Sequence, residues 1–193
     1  MISIKKVITI FLVSAAFLFS AENPVSVIKK KDGELQSLIK KSSLTKNQKE
    51  RIKTLLNDSF DFQLLAKKSL ANSVWNAQTP AALDTFVNEF QRMVRNSSAK
   101  KLEMYRADST VYEEAKLKGT DEARVIAHVW YKGKESVLEY KMSLVNDSWK
   151  AWDLVIDDLS TARNYKEQFS TILKTKSFND LIQIIREKAN EAE

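Results

Sequence analysis

His128 is the only histidine in the chain, and Asp157 stands directly beside Asp158. These are the residues whose types invite acid–base chemistry. A general acid and a general base must converge on one substrate atom. Neighbouring residues leaving a strand point to opposite sides instead. The segment from Ser160 onward has a helical pattern, and a helix N-terminus favours acids through its partial positive charge. Asp157 and Asp158 therefore read as acids placed at the joint between a strand and a helix. His128 lies mid-strand between Ala127 and Val129 and reads as a sheet-face or core histidine. A metal there would find no second histidine and no cysteine, so carboxylates would have to supply the remaining ligands. No catalytic residue, metal ligand or cofactor is nominated.

The chain holds no cysteine, three glycines and two prolines in 193 residues. Disulfides, thiolate nucleophiles and a lipidated N-terminal cysteine are excluded. So few glycines leave no phosphate-cradling loop or dinucleotide fingerprint. Lys5 and Lys6 precede an apolar run from Val7 to Phe19. This run is shorter than the roughly 20 residues a membrane span needs and has the length of a secretory core region. Residues 1–21 are thus expected to be a signal peptide, cut after Ser20 or Ala21, and 22–193 a single domain. An uncleaved membrane anchor is the alternative. Loss of Lys5 and Lys6 takes the basic count from 31 to 29 against 25 acids, leaving about +4. Such an excess suits anionic lipid or an acidic partner better than nucleic acid, because both signs are interspersed.

The elements that hold these residues follow from periodicity. Asn23-Pro24 opens a helix with Val25, Ile28, Leu35, Leu38 and Ile39 on an uneven stripe, and 45–58 carries Ile52, Leu55 and Leu56. Residues 59–75 read as a third helix. Thr79-Pro80 opens a fourth, whose Leu83, Phe86, Val87, Phe90 and Val94 recur at helical spacing. From about 107 the period becomes two, giving strands at 109–117, 122–131, 136–145 and 149–156 joined by short turns. Val125, Ala127, Val129 and Tyr131 share one face, as do Leu138, Tyr140, Met142 and Leu144. On the last strand two faces compete: Trp149, Ala151 and Val155 against Trp152, Leu154 and Ile156. Ser160 caps a further helix, and a last one carries Phe178, Leu181, Ile182 and Ile185. The predicted architecture is α+β. An antiparallel meander of four strands, or slightly more, carries N- and C-terminal helices on one face.

Two motifs resemble those of the MlaC proteins, also called the toluene-tolerance family. In "WNAQTPAALDTFVNEFQRMV" (75–94), Trp75, Thr79, Pro80, Phe86 and Phe90 fill the family pattern, and Tyr105 matches a tyrosine beyond it. In "WKAWDLVIDDLSTARNYKEQF" (149–169), Trp149, Lys150, Trp152, Asp153, Ser160, Asn164, Tyr165 and Phe169 correspond. Asp157-Asp158-Leu159 replaces the usual glutamate-glycine step, and Lys166 stands where arginine is common. The resemblance spans roughly 58–185. It implies a nuclear-transport-factor-like fold, in which the antiparallel sheet is curved and encloses an apolar cavity with its helices, and a periplasmic carrier of glycerophospholipid. The implied partners are an inner-membrane Mla-type ABC transporter complex and an outer-membrane lipoprotein, and the carrier would maintain outer-membrane lipid asymmetry. No nucleic-acid partner is expected, and the protein is expected to be a monomer.

The inward stripes then nominate lipid-binding residues: Phe62, Leu65, Phe86, Phe90, Val94, Val125, Val129, Leu138, Tyr140, Met142, Leu154 and Ile156. Each reads equally as sealed core. Lys67, Lys68, Lys100 and Lys101 are candidates for docking, or simply a solvated face. The alternative function is a periplasmic chaperone or lipoprotein carrier using the same concavity. An enzyme built around His128 is the third reading.

Overall fold

The structure, a computed structural model, describes residues 22–40, 44–100 and 105–191. The expected signal peptide and Lys101 lie outside the described residues. Helix α1 (Pro24–Ile39) begins where Asn23 Oδ1 accepts from the Val25 and Ser26 amides, with Pro24 in the first turn. Helix α2 (Lys46–Ser59) starts on a reciprocal Thr45–Gln48 capping box. The single helix expected over 59–75 is two: α3 (Phe62–Lys68) and α4 (Asn72–Asn76). Ser69 breaks it. Its amide and hydroxyl both turn back to the Leu65 carbonyl, and Ala71 is extended before α4 starts. Helix α5 (Pro80–Lys100) follows, with the Thr79 hydroxyl accepting from the Ala82 amide.

Among the described residues the sheet has six strands, the slightly larger form of the expected meander. The first expected strand is split into β1 (Ser109–Tyr112) and β2 (Lys116–Lys118), both antiparallel to β3 (Glu122–Tyr131). Then come β4 (Lys134–Val145), β5 (Ser148–Ile156) and the short β6 (Leu159–Ser160), in the order β1-β3-β4-β5-β6. Each of the last three strands is reached by a two-residue turn. All six central residues have left-handed backbone: Lys132 and Gly133, Asn146 and Asp147, Asp157 and Asp158. That geometry matches the twist of paired strands. Helices α6 (Thr161–Ile172) and α7 (Phe178–Glu191) close the fold.

Three apolar clusters result among the described residues, the smallest joining Ile39 of α1 to Ile52 of α2. Phe62, Leu65, Phe86, Phe90, Phe169, Leu181 and Ile185 pack where α3, α5, α6 and α7 meet. Val27 and Ile28 of α1 pack on the inner sheet face of Ala123, Val125, Ala127, Tyr140, Met142, Trp149, Ala151 and Leu154. Phe60 touches the two larger clusters.

Strand β5 resolves the competition between its two faces in an unexpected way. Met142 pairs with Ala151 but Lys141 pairs with Asp153, so a bulge at Trp152 shifts the register. One extra residue reverses the alternation. Trp149 and Ala151 before the bulge, and Leu154 and Ile156 after it, all join the inner cluster. Asp153 turns to the other side.

Candidate functional site

Asp157 and Asp158 form the two-residue turn between β5 and β6 and do not cap a helix. Asp157 exchanges bonds with Val137: its carboxylate accepts from the Val137 amide at 2.8 Å, and its own amide donates to the Val137 carbonyl at 3.0 Å. The helix after them is capped by Ser160, whose hydroxyl accepts from the Arg163 amide at 3.1 Å. The acid serving that helix is Asp153, which is fully buried. Its Oδ1 accepts from the Ala162 amide at 2.9 Å, and its Oδ2 from Ser160 at 2.7 Å and Lys141 at 3.0 Å.

His128 lies on the outer sheet face. Its Nε2 meets Glu113 at 3.1 Å and its Nδ1 meets Glu135 at 2.8 Å. Hydrogen bonding to Glu113, then to Glu135, raises its pKa above the ordinary histidine value. Two carboxylate partners need a proton on both ring nitrogens, which favours an imidazolium ion pair over a general base. Among the described residues no cluster of three or more acidic or histidine side chains is arranged to hold a metal ion.

The concavity lies between α1, α2 and the inner sheet face. It is a narrow cavity of about 80 Å³, lined by Ile28, Leu35, Leu55, Leu56, Phe60, Phe62, Val94, Tyr105, Leu138, Tyr140, Ala151 and Leu154 among others. Pockets for drug-sized ligands hold about 300–1,000 Å³, so acyl chains fit here only if the walls part. Val94, Ser98 and Tyr105 also line an adjoining open groove of about 720 Å³, between α5, the β5–β6 hairpin and α6.

Of the nominated residues, Phe62, Val94, Leu138, Tyr140 and Leu154 line the cavity. Val125, Val129 and Met142 belong to the same inner-face cluster beside it, and Ile156 lines the adjoining groove. Leu65, Phe86 and Phe90 sit in the helical cluster. Sequence reasoning did not nominate Ile28, Leu35, Leu55 and Leu56 as lining residues. The signal was present in the apolar stripes of the first two helices.

The polar residues of the cavity are Lys31, Asp32, Ser59, Arg95 and Ser98. Asp32 Oδ2 accepts from the Tyr112 hydroxyl at 2.8 Å and the Tyr140 hydroxyl at 2.9 Å, tying α1 to β1 and β4. Burial raises the Asp32 pKa, and the two tyrosine bonds oppose that rise. Burial also pushes the Tyr140 hydroxyl well above its usual pKa. Lys31 is drawn downward by desolvation and donates to the Asp58 carbonyl at 3.0 Å.

The two sequence motifs fall mostly outside this cavity. Phe86 and Phe90 stack at 5.7 Å, and the edge-on contacts of Phe90 with Tyr165 and Phe86 with Phe169 are 4.8 and 5.8 Å. Thr79 caps α5, while Asp153 and Ser160 fix the start of α6. The motifs therefore mark the frame that holds the sheet and helices together.

Comparison with curated proteins returns no match. Among solved structures, a phospholipid-binding protein from Ralstonia solanacearum, solved in complex with a phospholipid, shares the fold. The TM-score is 0.73 at 19% identity, over 89% of this chain and 99% of that one. The family model described as MlaC protein matches residues 25–187, nearly the whole described chain, so the protein belongs to the MlaC family.

Proposed function

We propose that the protein carries glycerophospholipid, with its acyl chains held between α1, α2 and the inner sheet face. The observation that carries this reading is an apolar cavity at that place, joined to an open groove by Val94, Ser98 and Tyr105. Membership of the MlaC family supports it, as does the fold shared with a phospholipid-binding protein. In this reading residues 1–21 direct secretion to the periplasm. There the monomeric carrier passes lipid between an inner-membrane ABC transporter complex and an outer-membrane lipoprotein, which preserves lipid asymmetry.

The energetics explain why a carrier is needed. Burying a methylene stabilises by about 0.8 kcal/mol, so two chains of roughly thirty methylenes represent about 24 kcal/mol. Bare desorption is correspondingly slow. An apolar slot of similar quality makes the exchange nearly balanced, and no catalytic residue is required.

Native mass spectrometry of the mature protein, after incubation with phospholipid vesicles, tests the reading. One phospholipid per protein is expected. A protein that stays empty but suppresses aggregation of unfolded clients would point to a chaperone instead.

A further inference from the structure

Arg95 is out of keeping with its surroundings. It lies on α5 and lines the apolar cavity together with Val94 and Ser98. Ser98 is one turn further along the same helix face. Val94 and Ser98 also line the open groove, so Arg95 lines the cavity beside the two α5 residues that the cavity and the groove share. Its Nε is buried without a hydrogen-bond partner, and it makes no ion pair or hydrogen bond with any described residue. Other arginines are matched: Arg51 to Glu34, Arg124 to Glu139 and Arg186 to Glu89. The remaining charges of the cavity are committed as well, Asp32 to two tyrosines and Lys31 to a carbonyl.

The Nε of Arg95 is shut away from water without an acceptor while the rest of its guanidinium keeps some solvent exposure, and an unsatisfied buried donor calls for a partner. The partner must be an acceptor, preferably a planar or tetrahedral anion that takes two parallel N–H bonds. A phosphodiester has that chemistry. In a glycerophospholipid it is joined to the tails through glycerol, so tails in the cavity bring it to the side where Arg95 and Ser98 lie.

We infer that Arg95 is the head-group anchor of this carrier, receiving the lipid phosphate at the mouth of the cavity. The inference rests on the carrier reading and adds to it a preference for phosphate-bearing over uncharged diacyl lipids. Without the lipid, the same guanidinium could bind free inorganic phosphate, and the test separates the two.

The mature protein is loaded from phosphatidylglycerol vesicles doped with diacylglycerol of the same chains, and the bound ratio is read by native mass spectrometry. Wild type is expected to favour phosphatidylglycerol. Arg95→Met is expected to lower that ratio about ten-fold, the loss of one charge-assisted bond. Arg95→Lys should restore part of it. An unchanged ratio in Arg95→Met overturns the inference. So does calorimetry in which inorganic phosphate binds through Arg95 while the lipid ratio ignores it. Wild type that takes up neither lipid removes the carrier reading as well. Uptake of both lipids regardless of Arg95 removes only the anchor.

Discussion

The Ser160 hydroxyl lies 2.7 Å from Asp153 Oδ2, joining the cap of α6 to a buried acid seven residues earlier on β5. The same carboxylate holds the Ala162 amide and the Lys141 ammonium. The bulge at Trp152 is what turns Asp153 toward this helix while Leu154 faces the cavity side. One residue of register thus serves both the frame and the concavity.

Asp153→Ala removes three partners at once and leaves the Lys141 charge without its acid. Breaking such a buried pair typically costs 3–5 kcal/mol, and a loss of about 3 kcal/mol is expected. Denaturant unfolding checks it through a lower midpoint at an unchanged slope. Asp153→Asn keeps an acceptor and should lose about 1 kcal/mol.

Asp32 gives a pH-dependent difference. Its pKa is raised in the folded state, mainly by burial. The folded protein therefore holds its proton to higher pH than the unfolded chain, whose aspartate titrates near about 4. Stability contributed by this group falls as pH rises from there through the folded pKa. Asp32→Asn removes the titration while keeping an acceptor for both tyrosines. The variant should gain on wild type steadily as pH increases, measured as the difference in unfolding midpoints. A constant difference would show that Asp32 does not titrate in this range.

His128 has the same sign. Its pKa is raised, first by Glu113 and then by Glu135, so its contribution is present at low pH and is lost as pH rises through the folded value. The imidazole should titrate above about 6.5 in a proton NMR titration. Glu113→Gln and Glu135→Gln should each bring it down, the first more.

Val94 lines both the cavity and the groove, so a bulky side chain there obstructs the connection. Val94→Trp is expected to reduce phospholipid loading several-fold. Val111→Trp, on the exposed outer face, should leave loading unchanged. Equal loading of the two variants would exclude this mouth as the route.

The turn at Asp157 and Asp158 places two non-glycine residues in the left-handed region, at φ of 47° and 67°. Replacing them with Asn-Gly suits that turn and keeps an acceptor for the Val137 amide. Stability should rise by about 1 kcal/mol, since a non-glycine residue pays roughly 1–2 kcal/mol there.

What the chain states locally was legible in its residues. Asn23-Pro24, Thr45, Thr79-Pro80 and Ser160 mark helix starts because capping acts within three or four residues. The change of period near 107 separates helices from strands because each side chain's direction follows from its own backbone. The stripes on 122–131 and 136–145 name the inner face for the same reason. The ambiguity of 149–156 had a physical cause: an inserted residue at Trp152 makes both alternations correct, each for half of the strand. A bulge is settled by the partner strand and has no signature in a single strand's pattern. Nor does an apolar stripe say whether it seals a core or lines a space. Phe86 and Phe90 repeat as regularly as Val94, yet α6 and α7 close over the first two and leave the third beside an opening. That choice belongs to elements distant in sequence. It is the packing between them that leaves Arg95 unmatched and Asp32 held by two tyrosines.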